Sequence, residues 1–230
     1  MGSSPPVQMA CHGYGSHVVY RAVHSCRARS DCGTSRDVYA ADVKSLVDQA
    51  REIAGVHLAV ALPRRWNHVQ AVGRKAESLG PVLLAGGDGQ VLVAAAWLHD
   101  IGYAPDLAET GFHSLDGARW LRKAGFDERV TALVAHHSCA HLEADERGLA
   151  DELAREFVLE ESVIADALWY ADMTTGPDGQ DFDVTVRLGE IRARYGPEDV
   201  VTRFIIRAEP SIVAAVRRTE ERLNAAVQPM

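Results

Sequence analysis

Residues 91–98 are all apolar (Val91, Leu92, Val93, Ala94, Ala95, Ala96, Trp97, Leu98) and run directly into His99-Asp100. A helix that is apolar on every side has no face to give to water, so it belongs at the centre of a fold. The run is too short to cross a bilayer, which takes roughly 20 residues. An ionised carboxylate at the end of a buried helix costs several kcal/mol unless it is paired or hydrogen-bonded. Asp100 therefore requires a cation, a metal or a donor network beside it.

Two other segments show the same anomaly. His68 shares a helical face with Val72, Ala76 and Leu79, and Asp172 shares one with Trp169, Leu168, Ala165 and Ile164. Each alone reads as a satisfied core side chain. Three segments aiming an imidazole or a carboxylate inward favour a shared metal site. Asp166 competes with Asp172, but lies roughly 240° away around the same helix, so the two cannot share a face. Nitrogen and oxygen donors without a thiolate suit Mn, Fe, Mg, Co, Ni or Zn alike.

From Asp37 onward the apolar period is helical and no strand pattern competes, so the chain is expected to be all-α. Helices are expected near 38–54, 64–79, 89–100, 113–124, 127–138, 146–157, 160–172, 183–195 and 197–226, the last interrupted around Pro210. Residues 1–36 are rich in Gly, Ser, Cys, His and Arg without any period, and read as a disordered extension. A zinc site from Cys11, His12, His17, His24, Cys26 and Cys32, or a targeting segment, fits them less well. Residues 37–230 form the expected domain, with its motif-bearing core at about 60–175. Val184, Val186, Leu188, Ile191, Phe204, Ile205 and Ile206 supply apolar surface for packing on that core or on a second subunit of a homo-oligomer.

The lack of a membrane span, the lack of an apolar h-region and a cysteine usage unsuited to a disulfide framework point to a cytoplasmic setting. The net charge is −8, and four arginines against Asp31 in the first 36 residues leave the remainder more acidic still. Such a body is a poor binder of duplex nucleic acid.

A His, then His-Asp about thirty residues later, then a distant Asp resembles the HD superfamily of metal phosphohydrolases. His99-Asp100-Ile101-Gly102 reproduces the HDIG variant of its motif, and Ala171-Asp172 matches the end of its distal helix. His113-Ser114-Leu115-Asp116-Gly117 is similar to the family's His-x-x-x-Gly element, and Ala135-His136-His137 to its later His or His-His element. The resemblance implies an HD-domain helical bundle with two divalent metal ions in its core. Asp100 would bridge them, with His68, His99 and Asp172 completing one site and His113 and His136 the other. His137 would be a ligand or would orient one. His57 and His141 fall outside these elements and read as surface residues.

The chemistry implied is attack of a metal-activated water on a phosphate ester or anhydride of a nucleotide or related small phosphorylated metabolite. Asp100 and Arg65 are the expected catalytic residues, Arg65 as the cation. Arg65-Trp66-Asn67-His68 is similar to the Arg-x-x-His start of bacterial HD proteins that hydrolyse dinucleoside polyphosphates, although a surface salt bridge fits Arg65 equally. Residues 173–179 read as a turn bordering the pocket. Tyr103 stands where HD-GYP enzymes usually carry Lys, and no GYP motif follows His137, which argues against cyclic di-GMP. The same ligand set also fits a mixed-valence di-iron oxygenase of the HD fold. A non-catalytic nucleotide sensor is the third reading, disfavoured by the intact set.

Overall fold

The computed structural model of the chain describes residues 44–227. The extension expected at 1–36, with its alternative zinc and targeting readings, lies outside them. Among the described residues the regular structure is helical, and the one β-type pairing is an isolated bridge between Thr175 and Asp181. No helix there is long and apolar enough to cross a membrane.

The apolar run becomes α3 (Asp88–Leu98), with residues 92–98 buried. It packs between α1 (Leu46–Leu58), α2 (Pro63–Leu83), α5 (Glu128–His136) and α8 (Val163–Met173). Local signals start its neighbours. Ser45 caps α1 by accepting the Asp48 N–H, Pro63 opens α2, Asp127 caps α5 and Ser162 caps α8. Gly73 lets α2 and α3 close on each other, because a Cβ there would lie 2.5 Å from the Trp97 ring. The remaining helices are α4 (His113–Lys123), α6 (Ala140–Glu146), α7 (Ala150–Glu156), α9 (Val184–Tyr195) and α10 (Val200–Val227).

Several expected boundaries differ. Of the helix expected at 38–54, residues 38–43 lie outside the described residues, and α1 opens at the Ser45 cap and runs on to Leu58. The helix expected at 146–157 is α7 alone, beginning only at Ala150 after Gly148 takes φ +72°, and α6, which ends at Glu146, was not expected. The helix expected at 127–138 stops at His136, because Ser138 and Cys139 both adopt left-handed φ, 48° and 62°. Conversely, α10 runs through Pro210 unbroken. The carbonyl that Pro210 leaves unbonded belongs to Ile206, which is 56% exposed, so water can satisfy it.

Of the C-terminal apolar residues, Val184, Leu188, Ile191, Phe204 and Ile205 are buried together with Met173 and Ile212, whereas Val186 and Ile206 stay exposed. Asp166 ties α10 to α8. It accepts from Arg218 Nε at 2.8 Å and Nη2 at 2.5 Å, and from Arg222 Nη1 at 2.8 Å. Burial disfavours its charge, but the two guanidiniums outweigh this and hold its pKa below the usual carboxylate range. Asp166 is thus engaged on the α10 side, away from Asp172.

Candidate metal centre

His68 lies in the second turn of α2, His99 and Asp100 follow α3, His113 opens α4, and Asp172 lies in the last turn of α8. Their side chains meet at one place, and His137, just past α5, joins them. Two groups of potential ligand atoms form, His68 with His99 and Asp172, and Asp100 with His113 and His137; within each group the atoms lie within 4.8 Å of one another.

Second partners fix the orientation of three of the rings. Nδ1–H donates to the Gly176 carbonyl from His68 (3.1 Å), to Ala96 from His99 (2.8 Å) and to Val134 from His137 (2.6 Å). A neutral ring with its proton on Nδ1 presents a lone pair at Nε2, and such backbone contacts are how metal-ligating histidines are usually held. The Nε2 atoms of His68 and His99 face each other at 3.3 Å, and those of His113 and His137 at 3.2 Å. Lone pairs that close repel unless a cation lies against both. Two ligand atoms about 2.1 Å from one ion, at angles of about 90–110°, stand roughly 3.0–3.4 Å apart. Asp172 Oδ1 completes the first group at 3.1 Å from His68 Nε2 and 3.8 Å from His99 Nε2.

Asp100 joins the two groups. Its Oδ2 lies 3.3 Å from His99 Nε2 and 3.7 Å from His68 Nε2, while its Oδ1 lies 3.6 Å from His113 Nε2 and 4.0 Å from His137 Nε2. Arg65 Nη1 donates to Oδ2 at 2.7 Å, with its guanidinium stacked 4.0 Å from the Tyr103 ring. Tyr103 also stacks on His113, at 4.0 Å.

The field at the first group favours positive charge. Burial opposes an imidazolium at His99, yet Asp100 and then Asp172 outweigh it and lift its pKa to about 9. Burial likewise opposes the Asp100 carboxylate, but Arg65 and His99 hold its pKa well below the usual range, and His68 and His99 do the same for Asp172. At His113 and His137 burial prevails and both imidazoles are pushed toward neutrality, the state in which they can ligate. Burial pushes the Cys139 thiol up to about 12, so it offers no thiolate. Two buried carboxylates and four convergent imidazole nitrogens fit divalent metal ions of borderline or hard character.

His136 requires a correction. The structure brings His137, not His136, beside His113 and Asp100. His136 ends α5 with Nε2–H donating to the Phe157 carbonyl at 3.0 Å, its Nδ1 unpaired. A continuous helix would put the two rings about 100° apart with no reason to choose. The break at Ser138 and Cys139 selects His137 and also brings Ser138 Oγ to donate to Asp172 Oδ2 at 2.5 Å. No glycine or asparagine marks that break, so the sequence carried no signal for Ser138. His57 and His141 stay out of the cluster, but neither is fully solvated: His57 pairs with Asp106 at 2.8 Å, 14% of its side chain exposed, and His141 is half-buried. In the turn after Asp172 it is a carbonyl, that of Gly176, which meets the site.

A cavity of about 80 Å³ borders Asp100, His113, His137 and Asp172, and α9 and α10 enclose it with Arg187, Arg194, Tyr195 and Phe204 among its walls. A second cavity, of about 370 Å³, lies along Leu62, Pro63, His68 and Pro177, and also touches Arg65, Tyr103 and Arg194.

A helical fold that gathers buried His and Asp side chains from five segments around a cavity defines a class of proteins built to hold metal ions in a helical core. Residues 65–172 match the HD domain family, and over that stretch the chain carries an HD domain. Such domains are typically metal-dependent phosphohydrolases. No curated protein and no solved structure matches the chain. Helices α9 and α10 lie outside the matched stretch.

Proposed function

We propose that the chain hydrolyses a phosphate ester or anhydride in a nucleotide or related small phosphorylated metabolite, using two divalent ions. His68, His99 and Asp172 would hold one ion, His113 and His137 the other, and Asp100 both. The observation that carries the reading is Asp100 itself: its two oxygens are divided between two sets of inward lone pairs, and Arg65 is anchored on the same carboxylate.

Bound there, divalent ions supply Lewis acidity for a phosphoryl oxygen and acidify water from a pKa of 15.7 to about 7. The protein's own part is positional. Arg65, held by Asp100 and Tyr103, offers its remaining donors to charge developing on the phosphoryl group. Backbone carbonyls keep the His68, His99 and His137 rings aimed inward. The 80 Å³ cavity suits a phosphate-sized group. Whole small-molecule sites usually span about 300–1,000 Å³, so the organic part of the substrate fits the 370 Å³ cavity across Arg65 and Tyr103.

The test is phosphate release from mononucleotides, dinucleoside polyphosphates and cyclic dinucleotides, with Mn, Co or Mg, under anaerobic conditions. Release supported by the metal and abolished by chelation is the expected result. Protein that holds two irons and consumes O₂ only with substrate would instead establish the oxygenase reading, and binding without turnover the sensor one. His137 and His136 give a second prediction. His137→Ala lowers metal content toward one ion per chain, whereas His136→Ala leaves it unchanged; equal metal content in the two variants would refute the assignment.

A further inference from the structure

Resting on that reading, we infer that Arg187 and Arg194 of α9 form a second anion subsite, selecting substrates with another phosphate or carboxylate next to the scissile phosphate. Both arginines line the cavity that borders Asp100, His113 and Asp172. Arg187 is 4% exposed, an unusual depth for a guanidinium, and its Nε is buried without a hydrogen-bond partner. Its Nη1 pairs with Glu190, and Arg194 Nη2 donates to the same carboxylate at 3.1 Å.

One carboxylate shared by two guanidiniums leaves a positive charge in excess and donors to spare. Arginine is retained at such places when a planar, bidentate partner is to be bound. Salt-bridge packing alone does not account for Arg187, because packing that served only the fold would have satisfied its buried Nε. The metal ligands and Arg65 account for one phosphoryl group. An anion on α9 would be a neighbouring one, since both face the same small cavity. Ile191 and Phe204 add apolar wall to the same cavity. Because α9 lies outside the matched HD stretch, the subsite would be this chain's own addition to the core.

The test is calorimetric titration of Mn²⁺-loaded protein with inorganic phosphate and with methylenediphosphonate, each added as its Mn²⁺ complex so that chelation in solution does not contribute. The wild type is expected to bind the diphosphonate at least about 10-fold more tightly than phosphate. Arg187→Met should reduce that preference to below about 3-fold while changing phosphate affinity less than about 2-fold; Arg187→Lys should restore part of it. A structural role would weaken both ligands alike. If Arg187→Met melts too low to titrate, Arg194→Met decides, with a loss of preference of about 3-fold expected. No preference in the wild type, an unchanged preference in the variants, or equal loss of both ligands overturns the subsite. Phosphate release without diphosphonate preference would leave the hydrolase reading standing. The preference without hydrolysis of any phosphate would do the reverse.

Discussion

Asp100→Ala is expected to abolish binding of at least one metal ion and to lower phosphate release by at least about 10³-fold, equivalent to roughly 4 kcal/mol of transition-state stabilisation. Among the described residues Asp100 is the side chain whose two oxygens lie near imidazole nitrogens of both ligand groups. Asp100 also anchors Arg65 at 2.7 Å. Its loss frees the cation anchored beside the two ligand groups. Breaking a buried pair by removing one partner costs about 3–5 kcal/mol, because the other charge is left uncompensated. Here Arg65 keeps its stacking on Tyr103 and is 23% exposed, and Asp172 loses a like-charged neighbour, so the stability loss should fall below that range. Elemental analysis, turnover at saturating metal and a thermal melt separate these effects. A folded Asp100→Ala protein with full activity and unchanged metal content would show that the chemistry lies elsewhere.

What was legible in the sequence follows from which physical signal each residue leaves. An apolar run ending in His-Asp can only be a buried helix with a charge at its end, and α3 is that helix. His68 and Asp172 were visible because a polar residue on an apolar helical face breaks a period. The structure brings His68, His99, Asp100, His113 and Asp172 to one place, with Arg65 on Asp100. His137 was harder, since adjacent histidines differ only in helical phase. The phase is decided by a left-handed break at Ser138 and Cys139, residues whose types do not announce one. The helix expected at 146–157 runs through Gly148, so the break between α6 and α7 was missed although a glycine stands at it. Arg187 and Arg194 left no signal, because charged residues on a helix read as solvated until the packing of α9 shows which face meets a cavity. Pro210 misled because α10 continues through it, with the carbonyl it leaves unbonded, that of Ile206, on an exposed residue.

Gly102→Ala is expected to cost about 3–5 kcal/mol, lowering the melting temperature by about 10 °C or more, and to disturb the His113 side of the centre in whatever protein still folds. A Cβ on Gly102 would lie 2.0 Å from the His113 carbonyl oxygen and 2.5 Å from the Gly117 amide nitrogen, far inside contact distance. Gly117 is constrained in return, since its Cβ would come within 2.9 Å of the Gly102 nitrogen. The two glycines, one from His99-Asp100-Ile101-Gly102 and one from His113-Ser114-Leu115-Asp116-Gly117, thus let the first turn of α4 touch the backbone after Asp100. That contact brings His113 Nε2 to 3.6 Å from Asp100 Oδ1. Neither backbone can yield cheaply. The buried Asp116 carboxylate pins the preceding loop by accepting the N–H groups of Glu109, Thr110 and Gly111 at 2.9–3.1 Å. Gly189, inside α9, is the control: a methyl group added there would meet nothing within 4 Å, and Gly189→Ala should stabilise by about 0.5–1 kcal/mol. If Gly102→Ala melted with the wild type and bound the same metal, the glycine pair would not be what positions His113.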